Sequence, residues 1–163
     1  MSTATTEADS TSSATPEPAH KWWALSALLL GLSMIVIDGS VVNVLLPDMV
    51  DDLDLTQTGT QWVNSIYSLV FASLLITVGL MADKYGRRLL FLLGIVVFVA
   101  GSIFSGTAGD PNILILARAV QAVGASMMLP SSIAVINVLF VGKNRAIAFG
   151  MWGAVFGGAA ALG

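Results

Sequence analysis

Two ionisable residues stand inside long apolar runs: Asp38, in Ile35-Val36-Ile37-Asp38-Gly39-Ser40, and Arg118, in Ile115-Leu116-Ala117-Arg118-Ala119-Val120. An ionised group near the centre of a bilayer costs about 2.5–3.5 kcal/mol even on the lenient insertion scale, so such groups face a protein interior or a cavity and mark pathways. Asp38 lies about nine residues, or ~13 Å, below Pro47 at one end of its run. Arg118 lies about seven residues, or ~10 Å, below Pro111 at the same side. The two opposite charges therefore sit at similar depth. A nearby cation favours the charged carboxylate and burial favours the neutral acid. A carboxyl held between those two pulls is suited to picking up and releasing a proton. The plainer reading is a fixed pair that locks two helices together. Gln121, three residues after Arg118, shares its helix face. It is placed to hydrogen-bond a partner or substrate, or to act as packing glue between helices.

The elements that position these residues follow from charge spacing. Of 163 residues, 56% are hydrophobic and 10% are charged, where soluble domains carry about a quarter charged. After Lys21 the charges enclose five apolar runs, with helices expected over about 22–46, 61–82, 89–109, 112–140 and 146–163. Roughly 20 apolar residues as helix cross the hydrocarbon layer. Spanning strands would alternate over about ten residues, and these runs do not. Backbone groups in lipid must be satisfied within their own segment, so the fold class is an all-α integral membrane bundle. Residues 1–21 are rich in Ser, Thr, Ala, Glu and Pro and read as a disordered tail rather than a signal peptide. Residues 22–163 form the transmembrane region. The last run ends without a charge or an aromatic anchor, so the chain reads as a fragment cut within or at the end of a helix.

Every basic residue between runs lies on one side: Lys21, Lys84, Arg87, Arg88, Lys143 and Arg145. The other connections hold Asp48, Asp51, Asp52, Asp54 and Asp110. The positive-inside rule makes the basic side, and the N-terminus with it, cytoplasmic in a cell membrane. Trp22, Trp23 and Trp62 suit interfacial anchors. Net charge is −3 with no basic cluster, so nothing points to nucleic acid. There is no Cys, and His20 has no companion ligand, so no metal set is legible.

Three further features stand out. The turn Gly79-Leu80-Met81-Ala82-Asp83-Lys84-Tyr85-Gly86-Arg87-Arg88 places an anion at a helix C-terminus, where the macrodipole disfavours it. Asp83 therefore needs a local cation or another helix's N-terminus, the composition of a polar latch or of a solvated turn. Gly150, Gly153 and Gly157 give the fifth run a small-residue face, with Gly153 and Gly157 in G-x-x-x-G spacing for close helix approach. Pro130 should kink the fourth helix, and Asn43, about 140° around its helix from Asp38, suits an interhelical hydrogen bond better than a ligand.

Together these motifs resemble the major facilitator superfamily, most of all its 14-helix drug/proton antiporter branch. Gly79-x-x-x-Asp83-Lys84-x-Gly86-Arg87-Arg88 matches the signature loop between helices two and three. Asp38-Gly-Ser40-Val-Val-Asn43-Val-Leu45-Leu-Pro47 resembles the first-helix exporter motif, with Ser40 for the more usual Thr and Leu45 for Ala. Arg118-Ala-Val-Gln121-Ala122-Val-Gly124-Ala125 resembles the fourth-helix motif, with Ala122 where Gly is commoner. The glycine-rich fifth run resembles the start of the antiporter motif, and the sequence stops at Gly163 before that motif's Pro. The resemblance covers about residues 22–163, the first five helices of a major-facilitator fold and roughly a third of such a transporter.

What the resemblance implies is proton-coupled export of small drugs or metabolites, driven by the proton gradient without a cofactor. Asp38, Arg118 and Gln121 would belong to the proton-coupling and cavity region. Gly79, Asp83, Gly86, Arg87 and Arg88 would form the cytoplasmic gate. The partners would be a small-molecule substrate, protons, the bilayer and the remainder of the transporter chain. An uptake symporter of the same superfamily is the nearest rival. A non-transporting scaffold subunit would gain nothing evident from two buried charges. An enzyme is the weakest reading, since there is no intramembrane Asp pair, no Ser/His constellation and no metal set.

Overall fold

In the computed structural model, residues 20–52 and 56–162 are described; the side chains of residues 46, 51, 52 and 159–162 are not. Residues 1–19 of the tail expected at 1–21, Asp54 of the acidic connection and Gly163 lie outside them. The described residues form five helices: α1 (His20–Asp52), α2 (Gln57–Tyr85), α3 (Arg87–Gly106), α4 (Pro111–Leu139) and α5 (Gly142–Leu162). No strand occurs among the described residues. The helices α1 to α4 are each long and apolar enough to cross a membrane. Within its described residues α5 does not join them: Lys143 and Arg145 fall in its first turn, and glycines and alanines fill much of the rest.

Several boundaries differ from the sequence expectation: α2 and α5 begin earlier, at Gln57 and Gly142, α3 ends earlier, at Gly106, and α1 is longer at both ends. His20 and Lys21, read as tail, form the first turn of α1. There Lys21 is buried against the Phe140 ring, and Trp22 meets that ring edge-on at 5.2 Å. This packing gives the turn a tertiary support that polar composition does not reveal. At its other end α1 runs through Pro47 to Asp52 rather than stopping near Leu46. A proline deletes only the bond to the carbonyl four residues back, and the helix extends past the end of the apolar run.

Caps set the other starts. Thr56 accepts from the Gly59 N–H at 3.2 Å at the head of α2. Asp110 accepts from the Asn112 N–H at 2.7 Å, with Pro111 opening α4. An anion there complements the helix dipole, and a first-turn proline loses no bond. At Gly86, with φ +103°, the chain passes from α2 into α3. Lys21, Lys84, Arg87, Arg88, Lys143 and Arg145 thus belong to one end of the bundle, the basic end; Asp48 and Asp110 belong to the other.

Helix α4 is the axis of the bundle. It packs most extensively on α3, then α2, and also touches α1 and α5; α5 lies mainly along α1. In lipid no hydrophobic drive brings helices together, so close van der Waals approach and interhelical hydrogen bonds must. The α3–α4 seam shows how. A Cβ on Gly124 would lie 2.5 Å from the Phe98 backbone nitrogen and 2.7 Å from the Gly94 carbonyl oxygen. Only glycine allows the two backbones to meet there. Around the seam, Phe98, Ala125, Met128, Ile136 and Phe140 are fully enclosed. Outward, Leu30, Ile76, Val96 and Leu116 are exposed, the arrangement that suits lipid rather than water. Helix α4 continues unbroken through Pro130.

Candidate functional site: a buried ion pair at a four-helix junction

Arg118 and Gln121 are one turn apart on α4 and project together. Asp38 of α1 faces both. Arg118 Nη1 donates to Asp38 Oδ2 at 2.6 Å and to Gln121 Oε1 at 3.0 Å. The Gln121 Nε2 donates to Asp38 Oδ1 at 2.7 Å and to Ser102 Oγ of α3 at 2.8 Å. Each carboxylate oxygen therefore accepts one bond, and all of the Gln121 amide is in use. Turning that amide over would set its oxygen against the carboxylate, so the network selects one orientation. The Arg118 side chain is 5% exposed and that of Asp38 15%. Buried charges persist only when paired and hydrogen-bonded, and here they are both.

Two residues complete the junction that sequence reasoning did not single out. Ser102 reaches Gln121 because its neighbour Gly101 has no side chain: a Cβ there would lie 2.7 Å from Gln121 Cγ and 2.8 Å from its backbone nitrogen. The clue was the seven-residue spacing of Gly94 and Gly101, which puts both on one face of α3. Tyr67 of α2 lies under Arg118, with the guanidinium carbon 4.6 Å from the ring centroid. Nothing in the apolar run around Tyr67 marks it out. A cleft of about 390 Å³ opens beside the network between α1 and α3. Asp38, Ser102, Ser105 and Gln121 are its polar lining, and Met34, Val41, Leu45 and Phe98 are among its apolar walls.

The signature loop lies at the basic end. Arg87 donates to Asp83 Oδ1 from Nε at 3.1 Å and from Nη2 at 2.8 Å. Its Nη1 reaches the Ala134 carbonyl of α4 at 3.3 Å. Asp83 thus has its local cation, the first residue of the next helix, and Arg87 links that turn to α4. Gly79 approaches Pro130 of α4, an added Cβ lying 4.0 Å from that ring, and Arg88 is exposed. Gly150, Gly153 and Gly157 are not brought to any described neighbour: a Cβ on each meets nothing within 4 Å. Asn43 is exposed and takes no part in the hydrogen bonds to Asp38.

A helical, multi-pass membrane protein with a buried acid–base pair between two of its helices is the class that fold and site define. The sequence profile of the Major Facilitator Superfamily matches residues 28–163. The puromycin resistance protein pur8 of Streptomyces alboniger is 44% identical over 149 residues, 91% of this chain and 29% of that protein. The multidrug efflux pump LfrA of Mycolicibacterium smegmatis is 34% identical over 95% of this chain and 31% of that protein. The riboflavin transporter RibZ of Clostridioides difficile is 31% identical over 85% of this chain and 30% of that protein. The chain belongs to the major facilitator superfamily. It spans about 30% of the length of these relatives.

Proposed function

We propose that this chain is the first part of a proton-coupled exporter of small drugs or metabolites, seated in the cell membrane with its N-terminus cytoplasmic. The observation that carries the reading is the Asp38–Arg118–Gln121 network, a buried carboxylate whose charge is held by one cation and one amide. A proton on Asp38 removes the charge that attracts Arg118 and weakens the bond from Gln121. Proton uptake thereby changes how α1 is tied to α4, which is what a coupled carrier requires. Alternating access about a midplane site is the mode of such folds. Export, rather than uptake, is supported by relatives named for drug resistance and efflux. The riboflavin transporter among the relatives keeps an uptake symporter as the second reading. The basic end is cytoplasmic on the positive-inside bias, and the Asp83–Arg87–Ala134 contacts there suit a gate.

The test uses the intact transporter in lipid vesicles, an imposed pH gradient, and puromycin as probe. Export predicts puromycin movement against the flow of protons, lost in Asp38→Asn. Movement in the same direction as the protons would favour the symporter. Undiminished proton-driven movement in Asp38→Asn would overturn the coupling role.

A further inference from the structure

The Arg118 guanidinium is permanently charged and almost wholly enclosed. Among the described residues three groups compensate it: the Asp38 carboxylate, the Gln121 carbonyl oxygen and the face of the Tyr67 ring. Its Nε has no hydrogen-bond partner among the described residues. If Asp38 takes up a proton, as the proposed function requires, the one formal counter-charge disappears while the cation remains. What is left is the amide oxygen, on a side chain that is itself bonded to Asp38, and the ring, which holds the cation without any bond to Asp38. An aromatic face attracts a cation most strongly where water is excluded. The ring is also held: Phe71, one turn further along α2, stacks parallel to it at 6.1 Å with 6° between the planes. The Tyr67 hydroxyl is buried and has no hydrogen-bond partner among the described residues, so what Tyr67 offers Arg118 is its ring.

We propose that Tyr67 is a positioning residue that carries the Arg118 charge while Asp38 is protonated, and so sets the pH at which Asp38 takes up its proton. This inference rests on the coupling role of Asp38. Among the described residues the charged and titratable groups around Asp38 are few. Helix α4 presents Arg118 and α2 presents Tyr67; α3 presents the neutral Ser102; the bases of α5, Lys143 and Arg145, lie in its first turn at the basic end. The sign follows. With Asp38 ionised, Arg118 already has its counter-ion, and the ring adds little. With Asp38 neutral, the ring is a main support. Removing the ring therefore disfavours the protonated state more, and proton uptake moves to lower pH.

The experiment is a pH titration of the intact transporter by infrared difference spectroscopy, following the carboxylic-acid carbonyl band that Asp38→Asn removes. Tyr67→Leu is expected to move the midpoint of that band down by about 0.5–1.5 pH units. Tyr67→Phe is expected to restore it. If the leucine variant does not fold, phenylalanines with successive ring fluorines, placed at 67, settle the matter. Each fluorine drains the ring face with little change of shape, so the midpoint should fall in steps. An unmoved midpoint across the fluorine series overturns the inference, because a ring that only fills space would give that result. A shift in Tyr67→Phe as large as in Tyr67→Leu also overturns it, in favour of the hydroxyl. If Asp38→Asn removes no band at any pH, both the coupling role and this inference fall. If it does and the ring variants are silent, only the inference does.

Discussion

Replacing Gly124 with alanine perturbs the site without touching any of its polar groups. The new Cβ would lie 2.5 Å from the Phe98 nitrogen, 2.7 Å from the Gly94 oxygen and 2.8 Å from the Phe98 Cα. All three are backbone atoms of α3, so no side chain can swing aside. Ordinary contact begins near 3.4 Å, and the helices would have to part locally by about 0.9 Å, an overpacking that costs about 1–3 kcal/mol. Ser102 lies about one turn beyond Phe98 along the same seam, where its Oγ is 2.8 Å from Gln121 Nε2. A separation of that size propagated along α3 takes this bond to about 3.7 Å, outside hydrogen-bond reach, for about 1 kcal/mol more. The measurement is thermal unfolding of the intact transporter in detergent, alongside the pH dependence of transport. Gly124→Ala should lower the unfolding midpoint and disturb the pH dependence together. Gly153→Ala is the comparison, because its Cβ meets nothing described within 4 Å, and helix propensity alone would favour it by up to about 1 kcal/mol. Wild-type stability in Gly124→Ala would refute the close α3–α4 seam. Marked destabilisation by Gly153→Ala would instead place a neighbour against α5 from outside residues 20–162.

The remaining predictions concern single side chains. Ser102→Ala leaves one Gln121 N–H without its acceptor, and should cost about 1–2 kcal/mol in unfolding free energy; transport fully indifferent to it would detach Ser102 from the coupling network. Arg87→Ala removes both bonds to Asp83 and the one to Ala134. An exposed ion pair is worth no more than about 1 kcal/mol, so stability should change little, while the distribution between inward- and outward-open states, read by spin-label distances, should shift; an unchanged distribution removes the gate role. These 163 residues hold no cysteine; relative to the unsubstituted transporter, Lys84→Cys should add no labelling by an impermeant thiol reagent outside intact cells, and ready added labelling would reverse the proposed orientation.

The polar core of the site was legible because charge inside an apolar run has few explanations. Asp38 and Arg118 announce themselves by type, their depth follows from helical rise, and Gln121 follows from its spacing to Arg118. Ser102 and Tyr67 were not legible for the opposite reason. A serine or a tyrosine is compatible with core, cavity or lipid interface, and its role depends on which neighbour the tertiary packing supplies. The glycines divide in the same way. Gly150, Gly153 and Gly157 form the more conspicuous pattern, yet within the described residues the close helix approach uses Gly94, Gly101 and Gly124. Motif spacing reports which face is small, not which face has a partner. The end of α1 escaped because apolar content marks the membrane-sized part of a helix, whereas hydrogen bonding past Pro47 decides where it stops.

These two kinds of contact divide the bundle into a firm part and a switchable part. Helices α3 and α4 are joined along a seam of backbone-to-backbone approach that no change of protonation alters. Helix α1 meets α4 much less extensively than α3 does, and the two side-chain hydrogen bonds that tie it to Arg118 and Gln121 both run through Asp38. Both of those bonds end on carboxylate oxygens. A single proton therefore weakens both of these bonds while leaving the α3–α4 unit intact. On the proposed function, this is how a proton is converted into motion: the charge sits where the packing is sparse, and glycine fixes the frame against which α1 can shift.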